Sequence, residues 1–164
     1  MISGEYTARF AREVAKYPAD QRQSAVMACL AIVQQDAGFI SVETEKMVAE
    51  YLGMAPIAVH EVTTFYNMYN QRPVGRYKLN ICTNLPCQLR DGQRALKYLE
   101  HKLGIGMGET TADGMFTLQQ CECLGACADS PVLLVNDRTM CSFMSDDKLD
   151  QLVDGLRAGG GDRA

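Results

Sequence analysis

The sequence predicts an α+β chain in which a helical bundle over residues 1–74 precedes a small α/β domain over 75–158, with a flexible tail at 159–164. Two observations predict it. Apolar residues in the first seventy positions recur at helical spacing, and after "QRPVGR" (71–76) strand-like alternation sets in between further helical stretches. A third observation concerns chemistry: four of the seven cysteines fall in two short motifs, each just after a predicted strand.

In order along the chain, "SAVMACLAIVQQDAG" (24–38) carries Val26, Cys29, Leu30 and Val33 on one helical stripe. Gly38 closes that helix, and Asp20 offers a cap upstream. "SVETEKMVAEYLG" (41–53) has Ser41 as N-cap, Glu43 and Glu45 near the positive end of the helix dipole, and Gly53 past its end. "APIAVHEVTTFYNMY" (55–69) opens with Pro56, which suits a first turn, and the spacing extends the helix toward the Pro73–Gly75 break. "YKLNICT" (77–83) then alternates, placing Tyr77, Leu79 and Ile81 on one face of a strand. "CQLRDGQRALKYLEHKLG" (87–104) reads as a helix with Leu96, Leu99 and Leu103 in register. "GMFTLQQCEC" (114–123) is a second strand, "VLLVN" and "TMCSF" form a hairpin around Asp137 and Arg138, and Ser145 or Asp146 starts a last helix. The order β-α-β followed by β-β-α is that of a small α/β sandwich and of a thioredoxin-like fold.

Composition excludes several classes. With 47% hydrophobic and 22% charged residues the chain can bury a core. A net charge of −4 and the absence of basic runs argue against a nucleic-acid partner. The first twenty residues lack the apolar stretch of a secretory signal, and no run approaches the ~18 apolar residues of a membrane span. A soluble, intracellular protein is expected, compatible with a peripheral seat on a membrane complex. "GIGMGET" (104–110) follows a helix and lacks the register of a nucleotide loop, so it reads as a connection.

Cys82 and Cys87 make "CTNLPC", and Cys123 and Cys127 make "CLGAC". In a parallel β-α-β unit both strand ends lie at one sheet edge, so two loops distant in sequence bring four thiolates to one corner. Four thiolates suit an iron–sulfur cluster or zinc. A [2Fe–2S] centre takes two cysteines on each iron and fits long, separate pairs. Gly125 gives the second loop access to unusual dihedrals, and the N–H groups of Thr83, Asn84, Leu85, Gly125 and Ala126 are placed to meet sulfur. His60 and His101 lie on predicted helices away from these loops, which argues against Rieske ligation, and no C-x-x-C is present for thiol exchange. Cys29 and Cys141 read as small buried hydrophobes. By spacing alone Cys121 remains an alternative partner of Cys127.

These motifs, together with "GETTADGMFTLQQCECLGAC" (108–127), "SPVLLVND" (130–137) and "VTTFYNMYNQRPVGRY" (62–77), closely resemble the 24-kDa-type [2Fe–2S] subunit of respiratory complex I, called NuoE in bacteria. The resemblance covers nearly the whole chain. It implies a helical bundle leading to a thioredoxin-like [2Fe–2S] ferredoxin domain, one cluster held by Cys82, Cys87, Cys123 and Cys127, and Cys121 as a spare on the strand. It also implies a cis bond before Pro131. Functionally it implies an electron-transfer subunit of NADH:quinone oxidoreductase with no substrate site of its own. FMN and NADH would be bound by a NuoF-type partner subunit that donates single electrons, with an adjacent iron–sulfur subunit as neighbour. The location implied is the cytoplasmic peripheral arm of a bacterial inner-membrane complex, and the helical part would dock on the flavin subunit or serve only to support the ferredoxin domain. The same subunit type in an NAD-linked formate dehydrogenase or hydrogenase is the nearest alternative. A free-standing ferredoxin-like carrier and a zinc-stapled interaction domain are the alternatives from other classes.

Overall fold

The computed structural model describes residues 4–159. The expectation of a flexible tail covers residues 159–164, of which 160–164 lie outside the described residues. The chain divides into two compact units, Met1–Pro73 and Val74–Ala164.

The first unit is helical: α1 (Gly4–Val14), a 3-10 segment (Ala19–Ala25), α2 (Val26–Ala37), α3 (Val42–Leu52) and α4 (Pro56–Phe65). Its core centres on Phe10, Cys29, Leu30, Val48 and Val59, all fully buried. Phe10 meets the ring of Tyr51 edge-on at 5.2 Å. Ser41 caps α3 by accepting the Thr44 N–H at 3.2 Å, and Gly38 and Gly53 end α2 and α3 in left-handed conformation. Asp20 does not cap α2. It sits in the 3-10 segment, and α2 follows on from Ala25 with no side-chain cap.

Helix α4 stops at Phe65, short of the break that the sequence spacing favoured. Thr63 and Thr64 both donate to the His60 carbonyl inside the last turns, and β-branched and aromatic residues there are weak helix formers. Beyond it, hydrogen bonds to α2 recruit the chain. Asn70 donates its N–H to Gln34 at 2.6 Å and accepts the Ile40 N–H on its carbonyl at 2.7 Å. Tertiary bonds thus outbid continuation of the helix. His60 pairs with Glu45 of α3, with Nδ1 2.9 Å from Oε2.

The second unit has the order β1 (Tyr77–Cys82), α5 (Leu85–Gln88), α6 (Gly92–Leu103), β2 (Phe116–Cys121), a 3-10 turn (Cys127–Asp129), β3 (Leu133–Val135), β4 (Thr139–Cys141) and α7 (Asp146–Arg157). The sheet runs β2-β1-β3-β4. Strands β1 and β2 are parallel, with Cys82 opposite Cys121, and the other pairings are antiparallel. Asn136 and Asp137 at positive φ form the tight turn of the three-residue β3–β4 connection, closed by the Arg138 N–H to the Val135 carbonyl at 3.0 Å.

All six residues of β1 are buried, as befits a central strand. Tyr77, Leu79 and Ile81 pack into the core that includes Leu99 of α6 and Leu149 and Val153 of α7. The opposite face is polar: Lys78 pairs with Asp137 at 2.5 Å, and Asn80 donates to the same carboxylate at 2.6 Å. The 104–110 stretch is the connection expected, tied by the Gly108 N–H to the Leu118 carbonyl at 2.7 Å.

Candidate iron–sulfur site

The parallel pairing of β1 and β2 brings both strand ends to one edge, and each runs directly into a cysteine-bearing turn. After Cys82 the chain passes Thr83 and Asn84 into α5, whose interior holds Cys87. After Cys121 it passes through Cys123 and Gly125 into the 3-10 turn that Cys127 opens. Gly125 has φ +73 with open space around it, so its requirement is for the left-handed backbone itself. Its N–H lies 3.4 Å from Cys123 Sγ, and Cys123 and Cys127 are 3.9 Å apart, sulfur to sulfur.

Cys82 and Cys87 are buried together with Cys121 and Val132, with Leu124 and Ala126 of the second turn packed on them. Burial pushes the Cys82 thiol up, while the N–H groups of Asn84 and Leu124, one from each turn, pull it back toward thiolate. Cys127 is raised by its hydrogen bond to Cys123 and then by burial, and it also feels the charge of Cys82. The two pairs are therefore close enough to interact. Asn84 and Gly125 are among the N–H groups expected at sulfur; Leu124 is an addition.

Cys121 differs in kind. Burial, then the charges of Cys82 and other neighbours, push its thiol up to about 12. Burial raises Cys29 to about 11, which accords with the buried role read for it; Cys141 is raised too, but it is half-buried and not the fully buried hydrophobe expected.

Sequence reasoning missed the side chains that hold the two turns. The stretch 87–104 is not one helix: Asp91 adopts φ 66 and separates α5 from α6. At Gly92 a Cβ would stand 2.8 Å from the Cys87 carbonyl oxygen and 3.1 Å from that of Cys82. The turn-forming Asp-Gly pair was the available signal. Arg90 donates to the Ala128 carbonyl at 2.6 Å, and Asn84 donates to Glu122 at 2.8 Å, so each turn is tied to the other. Nothing in the local sequence marks those partners.

Two observations bear on what the thiols can hold. Among the described residues no group of three His, Cys, Asp or Glu side chains is gathered as a site for one ion. Cys123 and Cys127 stand 3.9 Å apart, and the Cys82 thiol is hydrogen-bonded to Cys87. The buried hydroxyls of Thr83 and Ser130 have no hydrogen-bond partner among the described residues. An unpaired buried hydroxyl costs about 1–3 kcal/mol, so this corner has donors to spare for an acceptor. The Ser130–Pro131 bond is cis, as the resemblance implied.

A mixed sheet backed by two helices, with paired cysteines in the turns that end its parallel strands, defines a thioredoxin-like electron-carrier domain. The chain matches the family described as thioredoxin-like [2Fe-2S] ferredoxin over residues 10–157 and belongs to it. It is 41% identical over 145 residues to NADH-quinone oxidoreductase subunit 2 of Thermus thermophilus, covering 88% of this chain and 80% of that one. The E subunit of NADH-quinone oxidoreductase from Rickettsia conorii is 39% identical, with 88% and 86% covered. The mitochondrial NADH dehydrogenase [ubiquinone] flavoprotein 2 of Dictyostelium discoideum is 42% identical over 76% of this chain and 51% of its own length. Among solved structures, an NAD+-reducing [NiFe]-hydrogenase in the H2-reduced state superposes with a TM-score of 0.66 at 19% identity, over 79% of this chain and 22% of that one. At that identity the likeness concerns the fold.

Proposed function

We propose that the chain is the electron-transfer subunit of an NADH:quinone oxidoreductase of the complex I type, with one [2Fe–2S] cluster held by Cys82, Cys87, Cys123 and Cys127. The observation that carries the reading is the meeting of the C-x4-C and C-x3-C turns at one sheet edge, in a chain about 40% identical to subunits of that enzyme along most of both lengths. When bound, such a cluster supplies a one-electron store and no bond chemistry of its own. The residues of this chain do the rest. Cys82 and Cys87 anchor from the buried side, Cys123 and Cys127 close from the solvent side, and the N–H groups of Asn84, Leu124 and Gly125 favour the charged sulfurs.

In this reading a NuoF-type partner binds NADH and FMN, an adjacent iron–sulfur subunit completes the surroundings, and the whole sits in the cytoplasmic peripheral arm of a bacterial membrane complex. No helix of the described chain is long and apolar enough to cross a membrane. The helical unit of residues 1–74 is the docking element for the flavin subunit. Its α4 leaves Ile57 63% and Phe65 79% exposed, with Tyr66 and Met68 exposed just beyond, an apolar run that a partner would cover. The alternative of a hydrogenase or formate dehydrogenase module has weaker support, because the hydrogenase likeness is one of fold.

Iron and acid-labile sulfide analysis with EPR of the dithionite-reduced protein tests the centre. Equal iron and sulfide, with a rhombic S = 1/2 signal, is expected; a colourless protein carrying zinc would end the proposal. Phe65→Glu tests docking: it should abolish co-purification with the flavin subunit and leave cluster content unchanged.

A further inference from the structure

Two hydroxyls in the cysteine corner lack any partner among the described residues although both residues are 4% exposed: Thr83 Oγ1 and Ser130 Oγ. Their positions are related. Thr83 directly follows Cys82. Ser130 donates its N–H to the Cys127 carbonyl at 3.4 Å, and two residues later the Val132 carbonyl accepts the Cys82 N–H at 3.2 Å. The segment 130–132 thus runs alongside Cys82, and Ser130 and Thr83 each lie within one hydrogen bond or one peptide of a cysteine of the set. Buried hydroxyls are normally bonded. No backbone carbonyl or side chain among the described residues satisfies these two, which leaves both free to donate to a bound group.

We infer that Thr83 and Ser130 donate hydrogen bonds to sulfur atoms of the bound cluster, bridging sulfide or cysteine thiolate, and so raise its reduction potential. The inference rests on the cluster reading above and goes beyond it by naming residues that ligate nothing. The direction follows from charge. The reduced cluster carries one more negative charge than the oxidised one, its sulfurs accept hydrogen bonds more strongly, and each added donor favours reduction. The N–H groups of Asn84, Leu124 and Gly125 already serve the thiols. The hydroxyls add donors on the side that solvent does not reach, where low polarity strengthens each bond.

Potentiometric titration of the purified, cluster-loaded protein, followed by EPR, tests this with Thr83→Val, Thr83→Ser and Ser130→Ala. Thr83→Val keeps the side-chain volume and removes the donor. It should retain full iron and sulfide and lower the midpoint, by up to a tenfold change in the reduced-to-oxidised ratio at fixed poise, about 59 mV for one electron. Thr83→Ser should restore the wild-type midpoint. A fully loaded Thr83→Val with an unchanged midpoint overturns the inference, because the hydroxyl would then be only an unpaired group. If Thr83→Val loses the cluster, Ser130→Ala decides: a lowered midpoint supports the donors and an unchanged one overturns them. Absence of iron from the wild-type protein is a separate result, which would count against the cluster itself.

Discussion

The two cysteine turns are held in place by opposite means. The first is built into the fold: Cys82 ends the central strand, Cys87 lies inside α5, both are buried, and the backbone of the turn packs on Gly92. The second is a surface loop in which Cys123 is exposed, Cys127 half-buried and Gly125 left-handed. Packing therefore holds one half of the site before any metal arrives. The other half has the tethers from Arg90 and Asn84 and the contacts of Leu124 and Ala126, and relies on the bound group for the rest. A cluster held as proposed would load through the open turn while the closed turn keeps its geometry.

Removal of iron should expose the contrast most strongly. Hydrogen exchange at 122–128 should speed up by roughly tenfold or more in the apo protein, while the amides of 82–88 change little, because local opening follows the number of buried contacts. Equal loosening of both turns would break the distinction. A smaller effect comes from the two glycines. Gly92→Ala forces a Cβ against the carbonyls of Cys87 and Cys82, and overpacking of that kind costs about 1–3 kcal/mol. It should lower the melting temperature and the cluster content together. Gly125→Ala meets no neighbour and carries only the left-handed backbone penalty of about 1–2 kcal/mol. Because its turn is open, the cluster should load and then be lost faster to a chelator. Thermal melts and chelator kinetics on the two variants separate the cases.

The same contrast marks how far the chain could be read from its sequence. Strands β1 and β2, the hairpin at Asn136–Asp137 and the caps at Ser41 and Ser145 follow from alternation and local hydrogen-bonding chemistry, which the sequence carries in short windows. The meeting of the two turns followed from one topological rule, that parallel neighbours end at the same edge. What stayed hidden needed partners far along the chain. Helix α4 ends at Phe65 because Asn70 is drawn to Gln34 and Ile40. The break at Asp91 belongs with the close packing of Gly92 on the first turn, although the periodicity of Leu96, Leu99 and Leu103 ran smoothly past it. Spacing left Cys121 open as a ligand. The structure adds that it is buried opposite Cys82 in the strand pair, where burial raises its thiol.

Behind both turns lies one helix layer, so a perturbation there should weaken them alike. Asp150 of α7 accepts from Lys102 at 2.6 Å and from Tyr98 at 2.8 Å, both on α6. These bonds, Lys102 first, hold the Asp150 carboxyl below the usual carboxylate range. A lowered pKa in the folded state means that the contribution is fully present above the ordinary carboxylate value and is lost as pH falls through the lowered one. The wild type should thus exceed Asp150→Asn in stability at neutral pH, with the gap closing in acid. The pair is half-buried and still reached by solvent, so the gap should be small. Denaturant melts of the two proteins across acid pH check this, and hydrogen exchange in the variant should rise at 82–88 and 122–128 by similar factors. A rise confined to one turn would show that the helix layer supports that turn alone.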